Sequence, residues 1–79
     1  MSDEDESKIA AVICQLAKIN TLRPDEDIYT AGISSIQAFQ LLVELEAQFS
    51  VTLPDEAFVA ARTVRTLERL IVSQRATEA

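Results

Sequence analysis

The sequence predicts one all-α domain, a four-helix bundle of three longer helices and a short third helix. Its 79 residues are too few for more than one small core. Ile, Leu, Val and Ala dominate, and the chain holds only one Gly and two Pro, as expected of a helical protein. Apolar residues recur at helical spacing in three segments, separated by polar and proline-containing stretches. We therefore treat residues 1–79 as a single domain.

The first helix is predicted from Asp3 to about Ile19, with Lys18 in its last turn. Ser2 is its candidate N-cap, and the acidic run that follows complements the positive end of the helix dipole. Cys14 lies just off the apolar stripe and is expected to pack as a small hydrophobic residue. The residues expected to face the core are Ile9, Val12, Ile13 and Leu16.

Residues 20–32 are predicted to form a long loop between the first and second helices. The loop contains Pro24 and several acids, but its apolar residues should pin it to the helices. These are Leu22, Ile28 and Tyr29. A loop of this length in a small domain is typical of a functional segment, and it leads directly to the only glycine, Gly32.

The second helix is predicted from Ser35 to Phe49, and its start carries the most informative motif of the chain. Gly32 can adopt a positive φ and so end the loop sharply. Ser34 and Gln37 have the spacing of a capping box, in which each side chain bonds the other residue's backbone N–H. Ser35 should then point outward, where unsatisfied N–H groups and the positive helix end favour an anion such as a phosphodiester.

The remainder of the second helix is expected to divide into a buried and an exposed face. Ile36 and Val43 add apolar surface that the core does not obviously require. They are therefore either buried or free to contact a partner or cargo. The residues assigned to the buried face are Ala38, Phe39, Leu42, Leu45 and Phe49.

Two further helices complete the predicted bundle. Pro54 is favoured at a first helical position and begins the short third helix, which runs to about Ala60. Thr63 caps the fourth helix, and the tail after about Arg75 is expected to fray. The apolar residues at helical spacing in the fourth helix are Val64, Leu67, Leu70 and Ile71.

Composition excludes several classes of function. A net charge of -6 argues against nucleic acid and anionic membranes as partners. No apolar stretch approaches the roughly 20 residues that a membrane span requires. With no His and one Cys, the chain offers no metal cluster, no disulfide and no imidazole base to activate a serine nucleophile. We therefore expect a cytoplasmic, monomeric protein that is not an enzyme and whose serine is modified by another protein.

The sequence resembles acyl carrier proteins of the phosphopantetheine-binding family. Gly32-Ile33-Ser34-Ser35-Ile36 stands in the frame of the family's Gly-x-Asp-Ser-Leu motif at the start of the second helix. The likeness spans residues 5–73, nearly the whole chain. It continues through Leu41, Leu45, Glu46, Phe49, Val51, Leu53, Pro54, Asp55, Glu56, Thr63 and Val64.

By that resemblance, Ser35 would receive 4′-phosphopantetheine from coenzyme A through a phosphopantetheinyl transferase, with Ser34 as the helix cap beside it. The terminal thiol of the arm would hold an acyl group as a thioester. Acyl- or aminoacyl-loading ligases, synthases and acyltransferases would dock mainly on the second helix. The residues expected at that docking surface are Ile36, Gln37, Gln40, Val43, Glu44 and Glu46.

Two departures from the family pattern point to a specialised member. Ser34 replaces the Asp that usually precedes the modified serine, which removes a carboxylate that helps a basic transferase recognise the site. Serine caps a helix about as well as Asp, so the fold need not suffer. The second helix is also poor in acids, and the last helix is basic, with Glu68 the one acid between Arg62 and Arg75. Such charges influence the choice of partner.

The cargo stays open at this point. The leading hypothesis is an acyl carrier for a specialised fatty acid, lipid or polyketide-type pathway. The first alternative is a free-standing aminoacyl carrier loaded by an adenylating ligase. The second is an unmodified carrier-like module that acts only through protein–protein interaction, for which the missing Asp is the one positive indication.

Overall fold

A computed structural model describes the backbone of residues 3–78 and the side chains of residues 4–75, and this part of the chain contains five helices and no strand. Ser2, the candidate N-cap of the first helix, lies outside the described residues. The first helix packs against the third and the fifth, and the fourth packs against the fifth. The predicted all-α bundle is confirmed. The helices are α1 (Asp3–Ala17), α2 (Ile28–Ala31), α3 (Ser35–Phe49), α4 (Asp55–Ala60) and α5 (Val64–Glu78).

The core lies where the three long helices meet α2. Glu68 of α5 is also fully buried, so it lies on the inward face of that helix. Arg65 and Arg69 of the same helix are exposed. The apolar side chains with no or almost no exposed surface are Ile9, Ile13, Ile28, Leu41, Leu45, Val64, Leu67 and Ile71.

The end of α1 comes two residues earlier than the sequence predicts. Lys18 has a left-handed backbone with φ 59°, and the N–H of Ile19 donates to the carbonyl of Cys14 over 3.0 Å. This is the Schellman arrangement, which ends a helix. Lys18 therefore lies beyond the last turn, which corrects its predicted place. Cys14 is half-buried at the edge of the core, as expected. The predicted stripe faces inward: Ile9, Val12 and Ile13 are buried and Leu16 is half-buried.

The four-residue helix α2 interrupts the segment that the sequence predicts as loop. Asp27 caps it, and its Oδ1 accepts the N–H groups of the first turn at 2.9 and 3.2 Å. The helix ends at Gly32, which has φ 137° and donates its N–H to the carbonyls of Ile28 and Tyr29. Ile28 is fully buried, and Leu22 and Tyr29 are half-buried against the core. The apolar residues therefore pin this segment as predicted.

The buried face of α3 differs from the prediction at two positions. Phe39, which the sequence analysis assigned to the core, is 66% exposed, and Leu41, which it left off that face, is fully buried. Each residue turns an α-helix by about 100°. The helical turn therefore places Phe39 on the solvent side of α3, away from the buried face on which Leu45 lies. The buried residues of α3 are Ala38, Leu41, Leu42, Leu45 and Phe49.

The starts of α4 and α5 agree with the prediction to within one residue. Pro54 is the N-cap of α4 instead of its first residue. Thr63 caps α5, because its hydroxyl accepts the N–H of Thr66 at 3.1 Å. The Thr66 hydroxyl in turn accepts the N–H of Thr63 at 3.0 Å. These two hydrogen bonds satisfy backbone donors at the start of α5.

The last helix continues beyond the point where the sequence predicts fraying. It is helical to Glu78, whereas the tail was expected to fray after about Arg75. The Arg75 guanidinium lies 5.2 Å from the centre of the Phe49 ring and 3.9 Å from the carboxylate of Asp5. Contacts with both α3 and α1 therefore support the last turns of α5.

Candidate functional site

The start of α3 is held by a capping box that also reaches α1. Ser34 Oγ accepts the N–H of Gln37 at 3.2 Å, and Gln37 Oε1 accepts the N–H of Ser34 at 2.9 Å. Gln37 Nε2 donates to the carbonyl of Leu16 at 2.7 Å. Because both ends of its amide are engaged within the chain, Gln37 belongs to the scaffold of the site. Its side chain is half-buried, and its place on the docking surface stays a prediction.

Ser35 is an exposed residue at the first helical position of α3. The first turn of this 15-residue helix contains no acid. The N–H groups of Ser35 and Ile36 have no carbonyl within the helix to bond, so the positive end of the helix dipole is unopposed beside the hydroxyl. The arrangement offers an accessible hydroxyl in surroundings that stabilise a phosphate ester.

A groove of about 240 Å³ is bounded by α2, α3 and α4, and Ser35 is one of the residues that line it. Three of the four aromatic residues of the chain line it. Phe39 and Val59 are 66% and 60% exposed, so the groove opens to solvent. The sequence analysis missed it because no local pattern reveals the placement of α2. The groove is lined by Tyr29, Ser35, Ala38, Phe39, Leu42, Asp55, Phe58 and Val59.

The outward face of α3 carries Ile36 and Val43, which are 75% and 50% exposed. The choice between burial and exposure that the sequence left open is therefore resolved in favour of exposure. Gln40 is exposed beside them, as is Glu44, which accepts a hydrogen bond from Gln48 Nε2 at 3.3 Å. Together these positions form one continuous face of the helix.

Glu46, a predicted docking residue, also makes a hydrogen bond within the fold. Its side chain is half-buried, and its Oε2 accepts the N–H of Leu53 at 2.9 Å. This hydrogen bond fixes the turn between α3 and α4. The place of Glu46 on the docking surface stays a prediction, as it does for Gln37.

Asp27 and Arg62 hold α2 against the start of α5. Arg62 donates from Nε and Nη2 to the Asp27 carboxylate at 2.8 and 3.4 Å, and its guanidinium lies 4.6 Å from the centre of the Tyr29 ring. The N–H of Ile28 donates to the carbonyl of Arg62 at 2.8 Å. The hydrogen bond from Arg62 lowers the pKa of the Asp27 carboxyl and raises the pKa of the guanidinium itself. One wall of the groove, Tyr29, is thereby fixed in place.

The helices α3 and α4 carry side-chain charge of one sign. Residues 35–60 contain no Lys or Arg, and all seven basic residues lie elsewhere in the chain. The nearest cation to the groove that the described contacts show is Arg62, which lies over the ring of Tyr29. The acids of residues 35–60 are Glu44, Glu46, Asp55 and Glu56.

Replacing Ser34 with alanine is expected to lower the free energy of unfolding by about 1 kcal/mol, because the N–H of Gln37 loses its side-chain acceptor. Thermal and urea unfolding followed by circular dichroism measure the change. The neighbouring Ser35→Ala variant is the matched control and should unfold like the parent protein. Equal stability of all three proteins would show that the Ser34 hydroxyl does not stabilise the helix.

Residues 3–78 contain neither a candidate metal site nor a helix that could span a membrane. In that range no group of three or more His, Cys, Asp or Glu side chains could hold a metal ion. Nor does any helix there combine the length and the apolar composition that crossing a membrane requires.

A known sequence profile and several solved structures are similar to nearly the whole chain. The sequence profile described as Phosphopantetheine attachment site matches residues 7–71. No curated protein sequence matches the chain. In the crystal structure of the Bradyrhizobium japonicum glycine:[carrier protein] ligase complexed with its cognate carrier protein, one chain is similar at 25% identity and a TM-score of 0.80. That similarity covers 91% of this chain and 100% of the other.

Two other solved structures share the fold at lower identity. One is a type II acyl carrier protein from Streptomyces verticillus involved in bleomycin biosynthesis, with 24% identity and a TM-score of 0.77, covering 96% of this chain and 88% of the other. The other is the prototype for the peptidyl carrier domains of modular peptide synthetases. It has 18% identity and a TM-score of 0.78, covering 90% of this chain and 93% of the other.

Proposed function

The chain belongs to the phosphopantetheine-binding family, whose profile covers residues 7–71 of its 79, and we propose that Ser35 is the residue that bears the prosthetic arm. As a member of this family it is a carrier protein without catalytic activity of its own, and its covalent cofactor is 4′-phosphopantetheine. We further propose that residues 1–79 form a single carrier domain. The exposed hydroxyl at the first position of α3 is the observation that carries the assignment to Ser35.

The two adjacent serines differ in what their hydroxyls do. Ser34 Oγ is engaged as the acceptor of the Gln37 N–H, whereas Ser35 opens onto the groove. Ser35 Oγ would form a bond to the phosphorus that bears the pantetheine in coenzyme A, as the bond from that phosphorus to adenosine 3′,5′-bisphosphate breaks. The hydroxyl proton would pass to a base of the transferase, because this chain has no His to accept it. The first turn of α3 would then stabilise the new phosphodiester.

For the cargo we propose an aminoacyl or short acyl group, loaded by an ATP-dependent adenylating ligase. Carrier domains work with ligases and synthetases, and a carrier 25% identical to this chain is the partner of a glycine ligase. A longer acyl intermediate of a fatty acid, lipid or polyketide-type pathway is the second candidate, favoured by the apolar groove lining.

Stepwise loading followed by intact-protein mass tests the cargo class. The protein is first converted to its phosphopantetheine form and then incubated with ATP, glycine and the Bradyrhizobium ligase. A parallel reaction contains octanoate and an acyl–carrier-protein synthetase. A gain of one glycyl group supports the aminoacyl proposal. Octanoyl loading without glycyl loading favours the second candidate. If the protein does not gain phosphopantetheine in the first step, the unmodified interaction module is favoured.

We propose that partners dock on the exposed face of α3 formed by Ile36, Gln40, Val43 and Glu44. Ile36 is the apolar anchor of this face because it is 75% exposed and adjacent to Ser35. The absence of basic residues in the segment 35–60 suits a partner whose apolar pocket is rimmed by Lys or Arg.

The variant Ile36→Asp should raise the KM of the transferase for this protein about 10-fold or more, since truncating a docking anchor typically costs about 2 kcal/mol. The kcat should change little, because the Ser35 hydroxyl is untouched. Val72→Asp provides a matched control on α5, where Val72 is 39% exposed. Steady-state kinetics over a range of carrier concentrations measure both constants. If Ile36→Asp and the parent protein had the same KM, this face of α3 would not be part of the surface on which the transferase docks.

A further inference from the structure

Two arginines of α5 have no ion-pair partner in the part of the chain that the structure describes. Four of the seven basic residues lie within 4.0 Å of a carboxylate, but Arg65 and Arg69 do not, although the chain has thirteen acids. Both are exposed, and their spacing of four residues places them on one side of the helix. Glu68, the acid between them, is buried. The exposed side of α5 therefore presents positive charge on two successive turns.

A second groove, also of about 240 Å³, adjoins the first of these arginines. It lies between the N-terminal half of α1, the loop that follows α1 and the start of α5. The N–H of Arg65 donates to the carbonyl of Pro24, a lining residue, at 3.0 Å. Most of the lining is apolar, and Glu6 is the one carboxylate among its described residues. The groove is lined by Glu6, Ser7, Ala10, Leu22, Pro24 and Val64.

This groove is separate from the part of the molecule that surrounds Ser35. It shares no lining residue with the groove beside Ser35, and none of its lining residues belongs to α3. The helix α1 packs against both α3 and α5. A partner bound at the start of α5 therefore does not have to displace a partner bound on α3.

We propose that this groove, together with Arg65 and Arg69, binds an acidic segment of a partner protein; we call the two features the α5 surface. An apolar side chain of the segment enters the groove, where its burial is favourable. Acids beside that side chain pair with the two guanidinium groups, which bind carboxylates in a forked geometry. The inference goes beyond the proposed function and does not depend on Ser35 bearing the arm. A protein held in this way leaves α3 available to the enzymes that serve the arm.

The charge of the chain as a whole favours a protein segment over other anionic partners. The net charge is -6, so the dense negative charge of a nucleic acid or an anionic membrane is repelled beyond the immediate surroundings of the two arginines. A segment with a few acids gains the local attraction with little of that repulsion. Glu6, at the groove, further requires that the acids of the segment lie toward the arginines.

Titration of the isotope-labelled protein with a synthetic peptide tests the proposal. The probe is a short peptide in which two leucines are flanked on both sides by glutamates, and backbone amide resonances report where it binds. We expect saturable shifts for the amides of Ala10, Leu22, Val64 and Arg69. In one control peptide lysines replace the glutamates, and in the other serines replace the leucines. Each control peptide should bind at least several-fold more weakly.

Three variants locate the binding on the α5 surface. Arg65→Gln/Arg69→Gln should raise the dissociation constant of the acidic peptide about 3- to 10-fold, the effect expected of two exposed charge pairs. Lys8→Gln/Lys18→Gln is the matched control, because it changes the net charge equally at exposed positions outside the groove lining, and its affinity should stay near that of the parent protein. Glu6→Gln should tighten binding about 2-fold, a gain that unfolding cannot produce. Circular dichroism verifies that all three are folded.

Several results would overturn the proposal. They are the absence of saturable shifts with the acidic peptide, shifts confined to α3 and α4, equal affinity for the acidic and basic peptides, and equal losses of affinity in the two double variants. Affinity that does not fall between about 0.01 M and 1 M salt would also overturn it, because the screening length shortens from about 30 Å to about 3 Å. Shifts at the α5 surface that grow with protein concentration alone would assign the surface to a second copy of this chain instead. Failure of Ser35 to gain the arm would leave all of these results unchanged.

Discussion

Replacing Ser35 with alanine is expected to abolish attachment of phosphopantetheine completely, because it removes the oxygen that we propose forms the phosphodiester. Intact-protein mass after incubation with coenzyme A and a broad-specificity transferase measures this loss. The exposed position of Ser35 at the start of α3 predicts that the fold is unchanged, so the loss cannot be attributed to unfolding. Circular dichroism of the variant provides that check.

The adjacent variant Ser34→Ala is the control for the Ser35 experiment. Its hydroxyl caps α3 and lies within hydrogen-bond distance of the Gln37 N–H, so its removal should weaken the helix start without removing the attachment point. It should therefore still gain one arm. A mass gain in Ser35→Ala would show that the arm is attached to another serine. If neither variant gained the arm, attachment would require the capped start of α3 as well as the Ser35 hydroxyl.

The local features of the site could be predicted from the sequence because they depend on residues close together in the chain. The capping box needs only Ser34 and Gln37, three positions apart, and both of its hydrogen bonds are present. The stripe of α1 and the Thr63 cap of α5 follow from the same kind of short-range pattern. The exposure of Ser35 follows directly from the position of that box.

Features that join distant parts of the chain could not be predicted in this way. Asp27 and Arg62 are 35 positions apart, and nothing near either residue indicates the other. The hydrogen bond from Gln37 Nε2 to the carbonyl of Leu16 likewise depends on tertiary packing, as does the one from the N–H of Leu53 to Glu46 Oε2. The sequence therefore contained no sign that Gln37 and Glu46, both predicted docking residues, also hold parts of the fold together. The helix α2, with four residues, is too short to show a periodic pattern.

The rotation of α3 was ambiguous for a different reason. Apolar residues occupy seven of its first eleven positions, so several stripes fit a helical period about equally well. Which stripe faces inward is decided by packing against α1 and by the bond between Gln37 and the end of that helix. This choice has a functional consequence, because the same rotation that buries Leu41 turns Phe39 into the wall of the groove beside Ser35.

Leu41→Ala and Phe39→Ala should therefore differ sharply in stability. Removing the fully buried Leu41 side chain should lower the free energy of unfolding by about 2–5 kcal/mol, since it leaves a cavity in a packed core. Removing Phe39 should cost less than about 1 kcal/mol, as for most surface substitutions. Typical stabilities of roughly 0.05–0.15 kcal/mol per residue make the first loss a large part of the total.

Urea unfolding of the two variants and the parent protein, followed by circular dichroism, measures the difference. Similar m-values would show that the variants expose comparable surface on unfolding, so the midpoints can be compared directly. If Phe39→Ala proved as costly as Leu41→Ala, Phe39 would face the core as the sequence alone predicts. The aromatic groove beside Ser35 would then lose one of its walls. The stability of these variants thus tests the geometry on which the functional proposal rests.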